Sequence, residues 1–204
     1  MTPYERLLAH ATVARLARSL ATRPGCIIDD DPEARQAAVA LILRAGAGDA
    51  LELLLIRRAV YEGDPWSGHV ALPGGRRETQ DATLEQTAIR ETWEETGIDL
   101  AAGARLLGTL DDVHPRTVVL PRIVITPLVF VLAVQVPLML SGEVADAFWV
   151  PLAALQDPAT SREVELELTG GPRRVPSFQH AGHTIWGLTE RILRDLLARL
   201  AEPE

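Results

Sequence analysis

Three glutamates, Glu91, Glu94 and Glu95, stand at positions i, i+3 and i+4 of one short stretch of the chain. On a helix, this spacing brings their carboxylates onto one face. Like charges held that close repel one another, and a divalent cation would compensate them. Mg²⁺ prefers oxygen ligands and commonly joins carboxylates to substrate phosphates. The alternative is a solvated acidic helix face, the usual meaning of a run of charge, and the neighbouring residues decide between the two.

Signals on both sides of the glutamates predict a helix that begins beside a glycine-rich loop. Thr83-Leu84-Glu85-Gln86 has the form of a capping box, which begins the helix at residues 82–84. Gly97 stands where a left-handed helix end is expected. Upstream, Leu72-Pro73-Gly74-Gly75 predicts a rigid turn followed by backbone that can approach a ligand closely.

The same helix has residues that predict a buried face. Ile89, Trp93 and Thr96 fall on the side opposite the glutamates, so we expect them to pack against the rest of the fold. A helix with one buried face and three aligned carboxylates favours a metal site over a solvated charge run.

The stretch from Gly75 to Ile98 resembles the signature of the Nudix hydrolases. That pattern is Gly, five residues, Glu, seven residues, and then Arg-Glu-(apolar)-x-Glu-Glu-x-Gly-(apolar). The positions that match it are Gly75, Arg90, Glu91, Glu94, Glu95, Gly97 and Ile98. The chain departs at Asp81, which replaces the first glutamate, and at Thr92, where an apolar residue is usual. It also has one extra residue between Gly75 and Arg90, which we expect to lengthen only the loop.

The resemblance implies hydrolysis of a pyrophosphate link with Mg²⁺ or Mn²⁺ as the cofactor. Glu91, Glu94 and Glu95 are the expected metal ligands, and the family points to the carbonyl of Gly75 as a further one. A pyrophosphate is stable in water largely because its anionic oxygens repel a nucleophile. Divalent ions would neutralise those oxygens and lower the pKa of a bound water.

Three other polar residues are candidates for supporting roles in catalysis. We interpret Arg90 as orienting one glutamate through a bidentate pair rather than contacting the substrate. Glu143, in a loop before a predicted strand, is the candidate for a second carboxylate that serves as base or extra ligand. A solvated loop charge is the alternative for Glu143. Asp81 is either a helix cap or a catalytic part.

Two further stretches are similar to the coenzyme A pyrophosphatase branch of the family. The stretch from Gly68 to Gly75 resembles its Gly-x-x-x-Phe-Pro-Gly-Gly element, and Ile185-Trp186-Gly187-Leu188-Thr189 resembles a segment near its end. The likeness then covers residues 37–196. It implies a nucleotide diphosphate substrate, coenzyme A, cleaved to 3′,5′-ADP and 4′-phosphopantetheine.

The chain departs from that branch at positions where the 3′-phosphate of coenzyme A would dock. Leu55-Ile56-Arg57-Arg58-Ala59-Val60 replaces its Leu-Leu-Thr-x-Thr-(Ser/Ala) element, and Asp64 occupies the place of an arginine. Arginines that could substitute for the missing cation are Arg57, Arg58, Arg76 and Arg77. Trp66 and Trp186 are candidates for stacking on an adenine, with core packing as the alternative.

Other functions therefore stay open at this point. The substrate alternatives are ADP-ribose, NADH, dinucleoside polyphosphates and oxidised nucleotides. A different class of function is a catalytically silent module that senses a nucleotide, although a sensor has no need of three repelling carboxylates.

Composition predicts one soluble enzyme domain over residues 35–200, preceded by a helix and linker over residues 1–34. The 204 residues are 47% hydrophobic and 24% charged, which is ordinary for a globular protein. A net charge of −8 disfavours nucleic acid or an anionic membrane as a partner. The single cysteine, Cys26, is consistent with the cytoplasm, and the N-terminus lacks a signal-peptide core. A homodimer is a family expectation.

The predicted elements indicate an α+β fold. Helices are predicted at 3–21 and 188–200, and strands at 37–44, 51–58, 69–72, 104–110, 122–134 and 148–150, with a hairpin of 163–169 and 173–175 across Gly170-Gly171. This mixture, without regular βα alternation, is typical of an α+β sandwich. The resemblance specifies an α/β/α sandwich with a mixed sheet and a catalytic loop followed by a helix.

Overall fold

The computed structural model describes residues 2–29, 31, 33–62, 66–115, 122–168 and 171–201. Asp64 and Gly170, which entered the sequence predictions, lie outside these ranges. The helices are α1 (Pro3–Ala9), α2 (Ala11–Thr22), α3 (Leu84–Thr96), α4 (Leu100–Gly103), α5 (Leu152–Gln156) and α6 (Gly187–Ala201). The strands are β1 (Arg35–Ala45), β2 (Leu51–Arg58), β3 (Val70–Ala71), β4 (Gly74–Arg76), β5 (Ala104–Thr109), β6 (Ile123–Leu132), β7 (Val144–Pro151), β8 (Ser161–Leu168), β9 (Gly171–His180) and β10 (His183–Trp186). Within these ranges, every helix is too short or too polar to cross a bilayer.

The central sheet is mixed, as predicted. It has seven strands with β3-β2-β1-β6-β5 as its main path, while β4 pairs with β1 and β7 pairs with β2. Strands β1 and β6 run parallel, whereas β1 and β2 run antiparallel. Strand β1 lies at the centre, and most of its side chains are buried, which explains its nearly continuous apolar sequence.

Helices cover both faces of this sheet. Because side chains alternate along a strand, Leu41 and Leu43 of β1 pack in an apolar cluster that also contains side chains of α2 and α6. Ala40 and Ile42 pack on the other face in a cluster that contains Ala88 of α3. The α/β/α arrangement is confirmed, and it fixes α3 against one face of β1.

The single helix predicted over residues 3–21 is wrong, because the structure breaks it at His10. The backbone of His10 is extended, with φ −60° and ψ 125°, so that α1 ends there and α2 begins. The break allows Leu7 of α1 and Leu16 of α2 to enter the same apolar cluster as α6. Tertiary packing therefore overrides local helical periodicity here. The division of the chain at residue 34 stays a prediction.

The glycine-rich loop predicted at Gly74-Gly75 contains a strand in the structure, and a further short strand was not predicted. Gly74–Arg76 forms β4, which pairs with residues 37–39 of β1. His183–Trp186 forms β10, which pairs with β9, so that His180 lies opposite His183. Strands of three or four residues are too short to show a hydrophobic period, and only their pairing partners define them. Strand β4 matters most, because it fixes the glycines beside α3.

Candidate active site

Helix α3 begins and ends where the sequence predicts. The hydroxyl of Thr83 accepts a hydrogen bond from the amide of Gln86 at 3.2 Å. The side chain of Gln86 accepts from the amide of Ala82 at 2.7 Å, so the capping box closes one residue earlier than usual. At the other end, Gly97 has φ 71°, a left-handed conformation that glycine adopts without strain.

The predicted buried face of α3 is partly wrong. Trp93 is 52% exposed, whereas Thr92, Thr96 and Glu95 are buried. Successive residues of a helix are rotated by about 100°, so the stripe that faces β1 passes through residues 88, 92 and 95–96, and Trp93 lies beside it. One of the three glutamates is therefore on the packed side of the helix.

Thr92 should be a site where a small substitution stabilises the fold. Its hydroxyl oxygen is buried and has no hydrogen-bond partner among the described residues. Valine has the same shape without the polar group, so we expect Thr92→Val to raise the free energy of unfolding by about 1 kcal/mol, or Tm by about 2–4 °C. Thermal unfolding measures this change.

Thr87 provides the matched control on the same helix. It is as buried as Thr92, but its hydroxyl donates to Oδ2 of Asp81 at 3.0 Å. Thr87→Val should therefore lower stability, because it removes a hydrogen bond to a buried carboxylate. Equal effects of the two substitutions would show that the orphaned hydroxyl of Thr92 is not the cause.

The three glutamates lie in different surroundings. Glu95 is only 4% exposed, and its Oε2 accepts a hydrogen bond from the amide of Gly74 at 2.9 Å. The side chain of Glu91 is largely buried, and that of Glu94 is half exposed. The exposure of the three carboxylates therefore increases from Glu95, on the packed side of α3, through Glu91 to Glu94, at the solvent side.

The surroundings of Glu91 and Glu95 oppose the ionisation of both carboxyl groups. Burial raises the pKa of Glu95 to about 8, and repulsion from Glu91 and Glu143 adds to the rise, against the Gly74 amide and the Arg58 charge. Burial also raises the pKa of Glu91, with added repulsion from Glu94 and Glu143, although Arg90 opposes the shift. In this setting the carboxyl groups either stay protonated or ionise with the help of an additional cation.

Gly74 and Gly75 of β4 lie close to β1 and to α3. A Cβ on Gly75 would lie 2.4 Å from Oε1 of Glu91, so the Glu91 carboxylate would have to move away. Gly74 has φ 148°, and a Cβ there would lie 2.3 Å from the carbonyl oxygen of Ala38. The absent side chain of Gly75 thus lets the Glu91 carboxylate reach the backbone of β4.

Arg90 connects β4 and the loop after it to the glutamates. Its Nε and Nη2 donate to both carboxylate oxygens of Asp81, at 3.1 and 2.9 Å, and Nη2 also donates to the carbonyl of Arg76 at 3.0 Å. Its Nη1 lies 3.1 Å from Glu91 and 3.0 Å from Glu94. The bidentate pair is therefore made to Asp81, and the prediction that it involves a glutamate is wrong.

Asp81 is not a helix cap, because Thr83 occupies that position. Its carboxylate is buried and also accepts hydrogen bonds from the amide of Glu78 and the hydroxyl of Thr87. The hydrogen bond from Arg90 is the main cause that lowers the pKa of Asp81 to about 2. Its carboxylate oxygens hold Arg90 and the loop before α3 in place. Asp81 therefore anchors Arg90, a role that the sequence did not predict.

Two of the other candidates come close enough to the glutamates to affect them electrostatically. The negative charge of Glu143, in the loop before β7, raises the pKa of both Glu91 and Glu95. The positive charge of Arg58, at the end of β2, lowers that of Glu95. The β2–β7 register shifts between Arg57 and Arg58, and such a bulge redirects side chains.

The remaining substrate candidates lie on β2, β4 and β10 and in the turn before β3. Arg57 pairs with Asp146 in the register of β2 and β7. Arg76 lines a depression of about 910 Å³ whose described lining does not include the three glutamates. Trp66 begins a turn in which its carbonyl accepts from the amide of His69. The ring of Trp186 packs edge-on against His69 at 4.5 Å between centroids, which supports core packing for Trp186.

The residues present suit a hard divalent cation. Within the described ranges, no three aspartate, glutamate, histidine or cysteine side chains converge closely enough to hold an ion as they stand. Instead, Glu94 is directed to Arg90 and Glu95 to the amide of Gly74. The available donors are nevertheless all oxygens, and burial raises the pKa of two of the carboxylates. Mg²⁺ and Mn²⁺ favour such ligands, so the donor set fits either ion.

Comparisons with known proteins concern the family and the fold of the chain. Residues 34–168 match the NUDIX domain model. The uncharacterized Nudix hydrolase NudL of Salmonella paratyphi B is 31% identical over 169 residues, which cover 81% of this chain and 83% of that protein. Uncharacterized protein C14C4.10c of Schizosaccharomyces pombe is 40% identical over 119 residues, but the match spans 56% of this chain and only 36% of that protein. An Ap4A hydrolase of C. elegans, solved as a binary complex, has the same fold, with a TM-score of 0.54 at 21% identity over 82% of this chain and 98% of that chain.

Proposed function

The chain belongs to the NUDIX family and is a Nudix hydrolase acting on nucleotide derivatives, and we propose that it cleaves coenzyme A. The family match covers residues 34–168. The proposed products are 3′,5′-ADP and 4′-phosphopantetheine, and the proposed cofactor is Mg²⁺ or Mn²⁺. The proposal has two parts, a carboxylate site that performs the hydrolysis and a surrounding surface that selects the substrate.

The observation that carries the first part is the setting of Glu95. Its carboxylate is buried between β4 and α3 and accepts a hydrogen bond from the amide of Gly74. The negative charges of Glu91 and Glu143 repel it and raise its pKa. Burying a carboxylate among like charges is costly unless a cation or a function accounts for it. A site for a divalent ion, held by Glu91, Glu94, Glu95 and the carbonyl of Gly75, accounts for it.

The residues divide the work of hydrolysis as follows. Glu91, Glu94 and Glu95 would hold a divalent ion, which would neutralise phosphate oxygens and lower the pKa of a water bound to it. Glu143 accepts a proton from the attacking water, because among the described residues its carboxylate lies outside α3 and raises the pKa of both Glu91 and Glu95. Arg58 contributes positive charge beside Glu95 for the anionic diphosphate, and Arg90 keeps Glu91 and Glu94 in place.

Support for coenzyme A comes from the two stretches that resemble the coenzyme A branch. They are more than 100 positions apart, yet they are in contact: the hydroxyl of Thr189 donates to the carbonyl of Val70 at 3.0 Å. The ring of Trp186 packs against His69. Leu72, which stands where that branch has phenylalanine, is buried. The later stretch thus supports the strand that leads into Gly74 and Gly75.

A substrate panel tests the proposal. The protein is incubated with Mg²⁺ or Mn²⁺ and with coenzyme A, 3′-dephospho-coenzyme A, ADP-ribose, NADH or a dinucleoside polyphosphate, and the products are separated by ion-pair chromatography. We expect coenzyme A to have the highest kcat/KM. In ¹⁸O-labelled water, the label should enter only one of the two products, which identifies the attacked phosphorus.

The other outcomes of the panel are equally informative. A higher kcat/KM for ADP-ribose or another nucleotide would replace coenzyme A as the substrate and leave the carboxylate site intact. Tight binding of one compound without turnover of any would refute the proposed activity and favour the nucleotide-sensing module.

A further inference from the structure

The loop that carries Glu143 is attached to the end of the carboxylate helix. The amide of Met139 donates to the carbonyl of Thr96 at 2.8 Å, and the amide of Ser141 donates to the carbonyl of Glu95 at 3.2 Å. The last carbonyls of a helix have no partner within the helix, so these bonds satisfy them. One side of the loop is thereby fixed to α3.

The opposite side of the loop is held by the residues that follow β2. The amide of Ala59 donates to the carbonyl of Glu143 at 2.8 Å. The hydroxyl of Tyr61 donates to the carbonyl of Gly142 at 2.9 Å. Tyr61 is itself fixed, because its amide donates to Oγ of Ser67 at 2.6 Å. Two consecutive carbonyls, those of Gly142 and Glu143, are therefore bonded to the chain that leaves β2.

The carboxylate of Glu143 has no such fixation of its own. Among the described residues, it makes no side-chain hydrogen bond or ion pair, and its amide bonds only to Oγ of Ser141 at 3.3 Å. Its negative charge nevertheless acts on Glu91 and Glu95. The backbone at residues 142–143 therefore sets the position from which this exposed side chain extends beside the end of α3.

We propose that Tyr61 is a positioning residue, whose hydroxyl bond to the carbonyl of Gly142 holds Glu143 toward the carboxylates of α3. This inference rests on the proposed function, because it takes Glu143 to act as the base. Tyr61 is half exposed at the surface, so its hydroxyl could bond to water at little cost. Its hydrogen bond to the loop then serves orientation more than stability.

A double-mutant cycle tests this role. Tyr61→Phe removes only the hydroxyl, and we expect it to lower kcat for the best diphosphate substrate about tenfold while KM changes less than about twofold. Glu143→Gln should cost about 10²-fold by itself. In the Glu143→Gln background, Tyr61→Phe should change kcat by less than about twofold, because the residue that it positions no longer acts.

Tyr4 offers a matched control. Its hydroxyl also donates to a backbone carbonyl, that of Val131, at 3.2 Å, but α1 packs on the sheet face opposite α3. Tyr4→Phe should leave kcat unchanged. An equal loss of kcat from Tyr61→Phe in both backgrounds, or no loss in the wild-type background, would overturn the positioning role.

Hydrogen exchange of the metal-free protein separates this inference from the proposed function. Tyr61→Phe should accelerate exchange of the Ala59 amide, which bonds to Glu143, and leave the Met139 amide protected by α3. Unchanged exchange at Ala59 would show that the bond from the Tyr61 hydroxyl to the Gly142 carbonyl does not hold the loop, even if the enzyme is active. If the wild-type protein hydrolyses no diphosphate, the proposed function and the catalytic role of Tyr61 are both refuted. Accelerated exchange at Ala59 in Tyr61→Phe would still show that Tyr61 holds the loop.

Discussion

Glu95→Gln is expected to lower kcat/KM for the diphosphate substrate by about 10³-fold or more. Glutamine has the same size as glutamate but lacks the charge that would hold a divalent ion. The fold should persist, because the hydrogen bond from the Gly74 amide can be made to the amide oxygen of glutamine. Activity at saturating Mg²⁺ and circular dichroism measure the two expectations.

The same substitution should stabilise the metal-free protein at alkaline pH, although it lowers the rate. In the folded state the pKa of Glu95 is raised from 4.5 to about 8, so the unfolded chain ionises first as the pH rises. Stability from this group is complete below about pH 4.5 and is lost progressively up to about pH 8, with a slope of at most about 1.4 kcal/mol per pH unit. Glu95→Gln should remove this loss, giving a metal-free protein with a higher Tm at pH 8 and a flatter pH profile.

Two other glutamates of α3 complete the test. Glu94→Gln should also lower the rate by orders of magnitude, yet it should change stability little because Glu94 is half exposed. Glu85, exposed in the first turn of the same helix, is the control, and Glu85→Gln should leave kcat/KM unchanged. Full activity in both Glu94→Gln and Glu95→Gln would rule out the proposed metal site.

The parts of the fold that the sequence predicted are those with long, regular patterns. Strands β1 and β2 lie close to their predicted bounds, because their apolar runs are bounded by turn residues. Helix α3 was found from Thr83 and Gly97, whose preferences are local. A local signal suffices where the neighbouring residues alone decide the conformation.

Features that depend on distant partners escaped prediction. Helical geometry placed Trp93 opposite the glutamates, but which side of α3 is buried depends on how the helix packs on β1. Strand β4 has no period to detect, since residues 74–76 are defined by pairing with β1. Tyr61 gave no signal at all, because its partner, Gly142, is 81 positions away.

In the candidate site, too, features set by local spacing were predicted and features set by tertiary contacts were missed. The three glutamates were found from their spacing, and the family pattern pointed to Gly75, where the absence of a Cβ leaves room for the Glu91 carboxylate. The partner of Arg90 was missed, although Asp81 is only nine positions away, because the connecting loop has no regular geometry. Charge alone favoured the neighbouring glutamates, whereas burial selects Asp81, whose carboxylate has no other cation as a partner among the described residues.

Arg90→Gln is expected to lower both stability and rate, whereas Asp81→Asn should lower mainly stability. Removing the guanidinium leaves the buried carboxylate of Asp81 without its cation, which typically costs about 3–5 kcal/mol. It also releases Glu91 and Glu94, which Nη1 of Arg90 holds, so we expect kcat to fall about 10²-fold. Thermal unfolding and kcat below the lowered Tm measure the two effects separately.

Asp81→Asn is the control that separates the pairing of Arg90 with Asp81 from the contacts of Arg90 with Glu91 and Glu94. It removes the charge of Asp81 but retains an oxygen for Arg90, which still contacts Glu91 and Glu94, so kcat should stay within about threefold of wild type while Tm falls. Because the pKa of Asp81 is lowered to about 2, its contribution to stability is present above about pH 4 and is lost as the pH falls toward 2. The stability difference between wild type and Asp81→Asn should therefore shrink across that range. A loss of kcat in Asp81→Asn as large as that in Arg90→Gln would make Asp81 part of the reaction, as the glutamate it replaces in the family pattern would suggest.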